Sequence, residues 1–259
     1  MVTRRVSSRW KSRVSSQQKS TRTLSNADTP RPFPAETAVE ALTDIWSILQ
    51  AADAECFLAA GTLLGFYRNG GPLPHDRDID IGVLRYSDGT PHIADILRAH
   101  PLISLRGGAR RGDRYFALTH KGIAIDIFLY EETSCGIVCG FSENPGDIQW
   151  RFSPFDLAQV RYQGRDWRIP SPTDRHLSEV YGASWREPNL GFASAVSSPS
   201  LFRTDANARA YIGTARARRH LTAGDCAKAK ALLDQSPLPF RGGVITAIER
   251  LCAYREHGT

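Results

Sequence analysis

The chain has 259 residues, 41% of them hydrophobic and 23% charged, with 33 basic against 27 acidic side chains. Such a chain buries a core without disulfide or metal staples, which excludes fibrous, collagen-like and wholly disordered readings. No stretch approaches the ~18 uninterrupted apolar residues of a membrane-spanning helix.

The excess charge is local. Arg4, Arg5, Arg9, Lys11, Arg13, Lys19 and Arg22 precede the first acid, Asp28, and the remaining 26 basic and 27 acidic residues leave the body near neutral. The segment is rich in Ser, Thr and Gln and poor in aliphatic residues, so it reads as a disordered basic tail. No apolar stretch follows Arg4-Arg5, which argues against a twin-arginine signal. An inert tail, a weak electrostatic contact with an anionic membrane or polyanion, and an organelle transit peptide are the alternative readings of the segment, with no specific nucleic-acid partner expected. Five cysteines, an odd number at spacings that match no zinc pattern, fit reduced thiols in a cytoplasmic protein.

Beyond the Pro-rich hinge at 30–34, Val39, Leu42, Trp46 and Leu49 recur at helical spacing and predict a helix over 35–52. Residues 56–60 read as a buried strand ending at Gly61, with Thr62 as cap of a short helix from Leu63 to Tyr67. Asn69-Gly70-Gly71-Pro72 is a turn. Residues 78–84 alternate acid and apolar, a strand pattern. A helix over 91–99, an extended piece at 102–106 and a basic turn from Gly107 to Asp113 follow. Residues 114–120 and 122–130 form a hairpin with Lys121-Gly122 at its tip. Short strands fill 136–169, and Thr173 to Tyr181 is a helix after Pro170 and Pro172. From Asp205 the texture becomes Ala-rich, giving a helical hairpin over 205–222 and 225–234 around Gly224-Asp225, with a third helix at 243–256. The hairpin looks like one tetratricopeptide-type unit. One unit makes no solenoid, so a helical cap on the preceding domain is expected.

The chemistry concentrates in Gly61-Thr62 and the run Asp76-Arg77-Asp78-Ile79-Asp80-Ile81. Strand side chains alternate faces, so Asp78 and Asp80 point the same way, joined by Asp76 if the strand starts early. Two close carboxylates on one face need a compensating charge, which a hard divalent cation such as Mg²⁺ or Mn²⁺ supplies. Asp126, amid Ile123-Ala124-Ile125 and Ile127-Phe128-Leu129, is costly to bury unless paired or metal-bound. If its strand lies beside 78–84, the acids converge into a site for phosphoryl displacement. A Gly-Thr turn between strand and helix presents backbone N–H groups to a phosphate. The alternatives are a solvated edge strand for Asp78 and Asp80 and a hydrogen-bonded buried Asp for Asp126.

These residues carry a resemblance. Gly61-Thr62-Leu63-Leu64-Gly65, Arg68, Gly71, Pro74 and Asp76-x-Asp78-Ile79-Asp80-Ile81 are similar to the signature of the LicD/fukutin-type phosphotransferases. Ile169-Pro170-Ser171-Pro172, Leu177-x-x-Val180-Tyr181-Gly182 and Trp185-x-x-Pro188 resemble a second, weaker motif of that family. Two positions depart from it: Arg77 stands where the family usually has an acid, and His75 where it often has Trp.

The resemblance implies an α+β fold, a nucleotidyltransferase-like mixed β-sheet flanked by helices, with a C-terminal helical extension. The resemblance covers roughly residues 36–190; with the composition it divides the chain into a tail and hinge over 1–34, a catalytic domain over 35–200 and the helical extension over 201–259. The implied activity moves a phospho-alcohol unit (phosphocholine, ribitol-phosphate or glycerol-phosphate type) from a CDP-activated donor to a hydroxyl of a glycan or lipid-linked glycan, in cell-surface polysaccharide or glycoconjugate synthesis. Asp78, Asp80 and Asp126 would be catalytic and hold Mg²⁺ or Mn²⁺, with Asp126 as ligand or base. Gly61, Thr62, Arg68 and Asp76 would bind substrate phosphate, with Arg110, Arg111, Arg114 and Lys121 as further candidates against the diphosphate. A nucleotidyltransferase adding NMP to a small molecule or protein, and a non-catalytic binding protein, are the competing readings.

Overall fold

The structure, a computed structural model, describes residues 33–84 and 92–238. The basic tail, the first part of the hinge and the expected helix at 243–256 lie outside the described residues.

Helix α1 (Ala35–Ala51) buries Ala38, Leu42, Ile45 and Leu49, the face that the apolar spacing marked out. Its Trp46 meets Trp167 edge-on, ring centroids 5.0 Å apart. The chain then runs through β1 (Cys56–Leu58), α2 (Ala60–Leu64) and β2 (Asp78–Val83). After α3 (Ile93–Ala99) come β3 (Ser104–Leu105), β4 (Tyr115–His120) and β5 (Ile123–Leu129). These five strands make one mixed sheet in the order β1-β2-β5-β4-β3. The β2–β5 pair is parallel and the other three pairs are antiparallel. The β4–β5 hairpin closes at Lys121 and Gly122, both at positive φ (50° and 77°), the conformation of a type I′ turn.

A smaller sheet of β6 (Glu131–Thr133), β7 (Gly136–Gly140) and β8 (Gln149–Phe152) continues from β5. The hairpin β9 (Asp156–Tyr162) and β10 (Arg165–Ser171) packs β10 against β1 and leads into α4 (Thr173–Tyr181). Helices α5 (Ser194–Ser197), α6 (Ala206–Thr222) and α7 (Cys226–Asp234) complete the described chain. Strong side-chain caps fix the last two helices: Asp205 accepts from the Asn207 amide at 2.6 Å, and Asp225 from the Lys228 amide at 3.0 Å. They share a small apolar cluster with Ala193 and Val196, built on Ala217, Leu221, Ala229 and Leu232. The whole is an α+β fold with a mixed sheet flanked by helices.

One expected boundary moves. The strand at 56–60 stops at Leu58, because Ala60 turns to φ 41° and opens α2 two residues before Thr62. Thr62 is therefore inside the helix and caps nothing; its hydroxyl serves β2, as described below. The helix runs on as a single π-helical stretch (Gly65–Asn69) and ends at Gly70, φ 71°.

Phe57 on β1 lies opposite Gly82 on β2, its ring filling the space where a Gly82 side chain would stand. A Cβ at Gly82 would come within 2.2 Å of that ring, which is fully buried and wedged edge-on by Tyr130 and Phe155 at 4.9 and 5.6 Å. Gly82→Ala is expected to destabilise the protein by about 1–3 kcal/mol, as overpacked cores do, measured by chemical denaturation. His176 of α4 is buried between Phe152 and Phe155 with neither ring nitrogen hydrogen-bonded, and burial pushes its pKa down to about 3. The unfolded chain takes up that proton near pH 6.5, so stability is lost as pH falls from 6.5 towards 3. The slope from this one group is at most about 1.4 kcal/mol per pH unit. His176→Phe should show a shallower loss over this window than the unaltered protein; identical slopes would refute a neutral buried His176.

Candidate active site

Residues Asp80 and Asp126 are register partners on the parallel strands β2 and β5. Residues opposite one another on parallel strands project to the same side of the sheet, so the topology sets the two carboxylates side by side. Asp78, two residues before Asp80, shares that side. Asp76 lies just ahead of the strand in a tight turn, where its carboxylate accepts from the Leu73 amide at 3.2 Å. All four acids line one cavity of about 310 Å³, whose wall also carries Gly61 and Arg68.

The β1–α2 junction is built around Asp80. The Gly61 amide donates to the Asp80 carboxylate at 3.1 Å, and the Asp80 amide donates to the Thr62 hydroxyl at 2.8 Å. A Cβ on Gly61 would stand 3.4 Å from carboxylate oxygens of both Asp76 and Asp80. The Gly-Thr pair thus fixes an acid, and Thr62, 1% exposed, does not reach the cavity. Gly61, Asp76, Asp78, Asp80, Asp126 and Arg68 do. Arg68 donates to the Trp185 carbonyl at 3.1 Å and to the Asn69 side chain at 2.8 Å.

Burial raises the proton affinity of all four acids. Asp76 is pushed up to about 6 by burial, against the pull of the Leu73 amide. Burial also lifts Asp78, opposed chiefly by Arg216 and Arg106. Asp80 rises furthest, through burial and then the charges of Asp78, Asp126 and Asp76. Asp126 is pushed up to about 6 by burial and Asp78, while the Arg106 guanidinium and the Tyr115 hydroxyl donate to its carboxylate. Arg106 is anchored in turn on the Leu118 carbonyl at 3.1 Å. Among the described residues no three His, Cys, Asp or Glu side chains form a ready-made metal-ligating group; Asp126 is turned to Arg106.

Four of the cations singled out in the sequence lie elsewhere. Arg111 pairs with Asp95 at 2.8 Å, Arg114 with Glu131 and Glu143, and Lys121 with Asp44 at 3.1 Å and Glu40 at 3.2 Å. Arg110 lines a separate surface cavity with Arg111 and Arg114. His75 does border the acid cavity; burial holds its ring below the usual histidine range, with Arg68 and Lys228 adding to it.

Sequence reasoning missed Arg106, Tyr115, Arg216 and Lys228. A signal existed for the last two. Arg216 follows the buried Gly213 by three residues, and Lys228 precedes the buried Leu232 by four, so both are cations at core spacing on Ala-rich helices.

Residues 53–171 match the family model described as "LicD/FKTN/FKRP, nucleotidyltransferase domain". That segment resembles a LicD-type domain. Similar curated proteins are "Ribitol-5-phosphate transferase FKTN" of Mus musculus, 24% identical over 137 residues, and its Homo sapiens counterpart, 25% identical over 139. Each match covers 51% of this chain and 29% of the relative, so the chain spans under a third of their length. The solved structure of ANT(2")-Ia with adenylyl-2"-tobramycin aligns at a TM-score of 0.36 and 13% identity, over 85% of this chain and 98% of that one. The LicD-type segment contains all four acids, the Gly-Thr turn and Arg68.

The acid cluster opposes folding as long as nothing compensates its charge. Asp80→Asn keeps an acceptor for the Gly61 amide and removes the most crowded charge. In chelator-treated protein at pH 7.5 it should raise stability by on the order of 1 kcal/mol, as relief of functional-site strain does, read by thermal denaturation. A lowered melting temperature would mean that the carboxylates are not mutually strained.

Proposed function

We propose that this chain is a metal-dependent phosphotransferase that moves a phospho-alcohol unit from a CDP-activated donor to a hydroxyl of a glycan, in cell-surface polysaccharide or glycoconjugate synthesis. The observation that carries the reading is the adjacency of Asp80 and Asp126 on parallel strands, with Asp78 and Asp76 on the same cavity. The LicD-type segment and the ribitol-5-phosphate transferases it resembles support the substrate class.

A divalent cation suits this donor set. Every ligand offered is a carboxylate oxygen, and the raised proton affinities mark a surplus of buried negative charge that Mg²⁺ or Mn²⁺ would offset. Asp78 and Asp80, with Asp76 beside them, would hold it. Bound there, the ion would neutralise donor phosphate charge and polarise the phosphorus for attack.

The chain's own residues do the rest. Thr62 and Gly61 lock the backbone and carboxylate of Asp80, so the acid side of the cavity is preorganised. Arg68 stands at the rim to meet a phosphate oxygen. Asp126, with a proton affinity near neutrality, accepts the proton of the acceptor hydroxyl. Arg106 and Tyr115 orient it and stabilise its charge. The acceptor oxygen bonds to the alcohol-bearing phosphorus, the bond from that phosphorus to the CMP oxygen breaks, and CMP leaves with the electron pair. The 310 Å³ cavity is at the small end of ligand sites and suits the reacting phosphates rather than a whole glycan, which would lie outside it. Among the described residues no helix is long and apolar enough to cross a membrane. A peripheral encounter with a membrane-borne acceptor through the basic tail accords with this reading.

The test is CMP release from CDP-choline, CDP-ribitol and CDP-glycerol with Mg²⁺ or Mn²⁺, with slow hydrolysis scored where no acceptor is supplied. One donor should give metal-dependent release, and Asp78→Asn should lower it by at least about a hundredfold while keeping the fold. Silence with all three donors, together with stabilisation by nucleoside triphosphates and metal, would transfer the site to nucleotidyl transfer.

A further inference from the structure

The acid cavity has a second, positively charged wall that comes from outside the LicD-type segment. Arg216 of α6 and Lys228 of α7 both line it, and Arg216 is within reach of the charges of the acids. Burial is the main influence lowering the proton affinity of Arg216, and Asp78 is the strongest opposing charge, followed by Asp80 and Asp126. The guanidinium stays protonated regardless. Yet no carboxylate of the described residues comes within 4.0 Å of Arg216, so it feels the acids without pairing to any of them.

Lys228 is held differently. Its ammonium donates to the carbonyl of Leu190 and, at 2.6 Å, to that of Phe192. Burial pushes its proton affinity down, and Arg216 pushes it down further. Two like charges thus sit close enough to repel one another in a half-buried cavity, opposite a cluster of acids that repel one another too. A half-buried charge is expensive unless something neutralises it. One kind of ligand answers both surpluses: a phosphate whose oxygens turn to the basic wall while the acid wall takes a divalent cation.

The wall is rigid. Asp205 and Asp225 cap α6 and α7, and Gly213 brings α6 within 3.6 Å of Val196 and 3.5 Å of the Leu232 carbonyl, measured from an ideal Cβ. The two cations are therefore presented by a packed helix pair and not by surface side chains free to wander, which limits the entropy lost on binding.

We propose that Arg216 and Lys228 form the anion subsite that binds the donor's diphosphate, so that α6 and α7 complete the active site. The assignment rests on the reading of the cavity as a CDP-donor site. It makes both residues binding residues, supplied by a part of the chain outside the family match.

The experiment is calorimetric titration of the full chain with CDP in the presence of Mn²⁺, a product-like probe that is not turned over. Arg216→Met, which keeps the apolar stem, and Lys228→Met should each weaken CDP binding at least about tenfold, the usual effect of losing a charge-assisted phosphate contact. Arg218→Ala removes an equal but exposed charge from the same helix and should leave the affinity within twofold. Circular dichroism and melting temperature check each variant, and Arg216→Lys should recover part of the affinity, which a merely structural loss would not do. CDP binding that neither methionine variant weakens, with CMP release still metal-dependent and Asp78-dependent, would overturn the subsite and leave the proposed function standing. Absence of both CDP binding and CMP release in the unaltered chain would remove the two together.

Discussion

The parallel pairing of β2 with β5 is the constraint on which the rest depends. It places Asp80 against Asp126 in direct register, and a shift of one residue would send one of them through the sheet into the apolar layer. That layer holds the register by its own packing. Ile79 and Ile81 on β2 and Ile125 and Ile127 on β5 are fully buried on the opposite face, against the core that α1 covers. Hydrophobic alternation therefore decides where the charges go. Each acid stands between two isoleucines that cannot be exposed without cost, and the carboxylates inherit the position left to them.

The remaining features near the sheet accommodate that concentration of charge. Gly61 is a glycine at a point where a side chain would touch two carboxylates, and its amide neutralises part of one of them. Ala60 takes a left-handed backbone conformation (φ 41°), unfavourable for a residue with a Cβ, to bring that amide round. Thr62 takes the strand's own amide. Arg106 reaches across from the end of β3 to Asp126, and Tyr115 reaches it from β4. These are contributions from three separate elements to the geometry of two side chains. Such investment in a cluster that burial and mutual repulsion both disfavour is what separates a site from a solvated face, where exposed acids need no partners.

Much of this was legible in the sequence, for physical reasons that can be named. The helix over Ala35–Ala51, the acidic strand, the hairpin at Lys121-Gly122 and the helix from Thr173 to Tyr181 each rest on local signals: periodicity, positive-φ turn residues and a proline start. The convergence of Asp126 on Asp78 and Asp80 was legible only conditionally, because strand adjacency is a tertiary fact. The reading of Thr62 as a helix cap failed on a two-residue boundary, where a strained Ala60 overrode the preference for a threonine cap. The reading of Arg110, Arg111, Arg114 and Lys121 as phosphate ligands failed because nearby acids, Asp95, Glu131, Glu143 and Asp44, pair with three of them and spacing along the chain does not reveal such partners. Arg106 and Arg216 lie 20 and 90 residues from Asp126, and nothing local marks the first as its partner.

The site consequently has two halves of different origin. The acid half falls within residues 53–171, the span shared with the LicD-type family model, and the matches to the ribitol-5-phosphate transferases cover only about half of this chain. The lining continues well past that span, through Trp185 and Leu190 to Arg216 and Lys228. On the proposed function, the acids that would hold a metal and the base belong to the inner half, and the cations of the outer half add charge control of the donor's diphosphate. The outer half also brings Trp185, Leu190 and Phe192 to the lining, apolar groups suited to the uncharged parts of a donor or acceptor. The family model covers the inner half alone, so that match argues for the reaction type more strongly than for the alcohol transferred. The identity of that alcohol is a question for the loop and helices beyond residue 171, which lie outside the matched span.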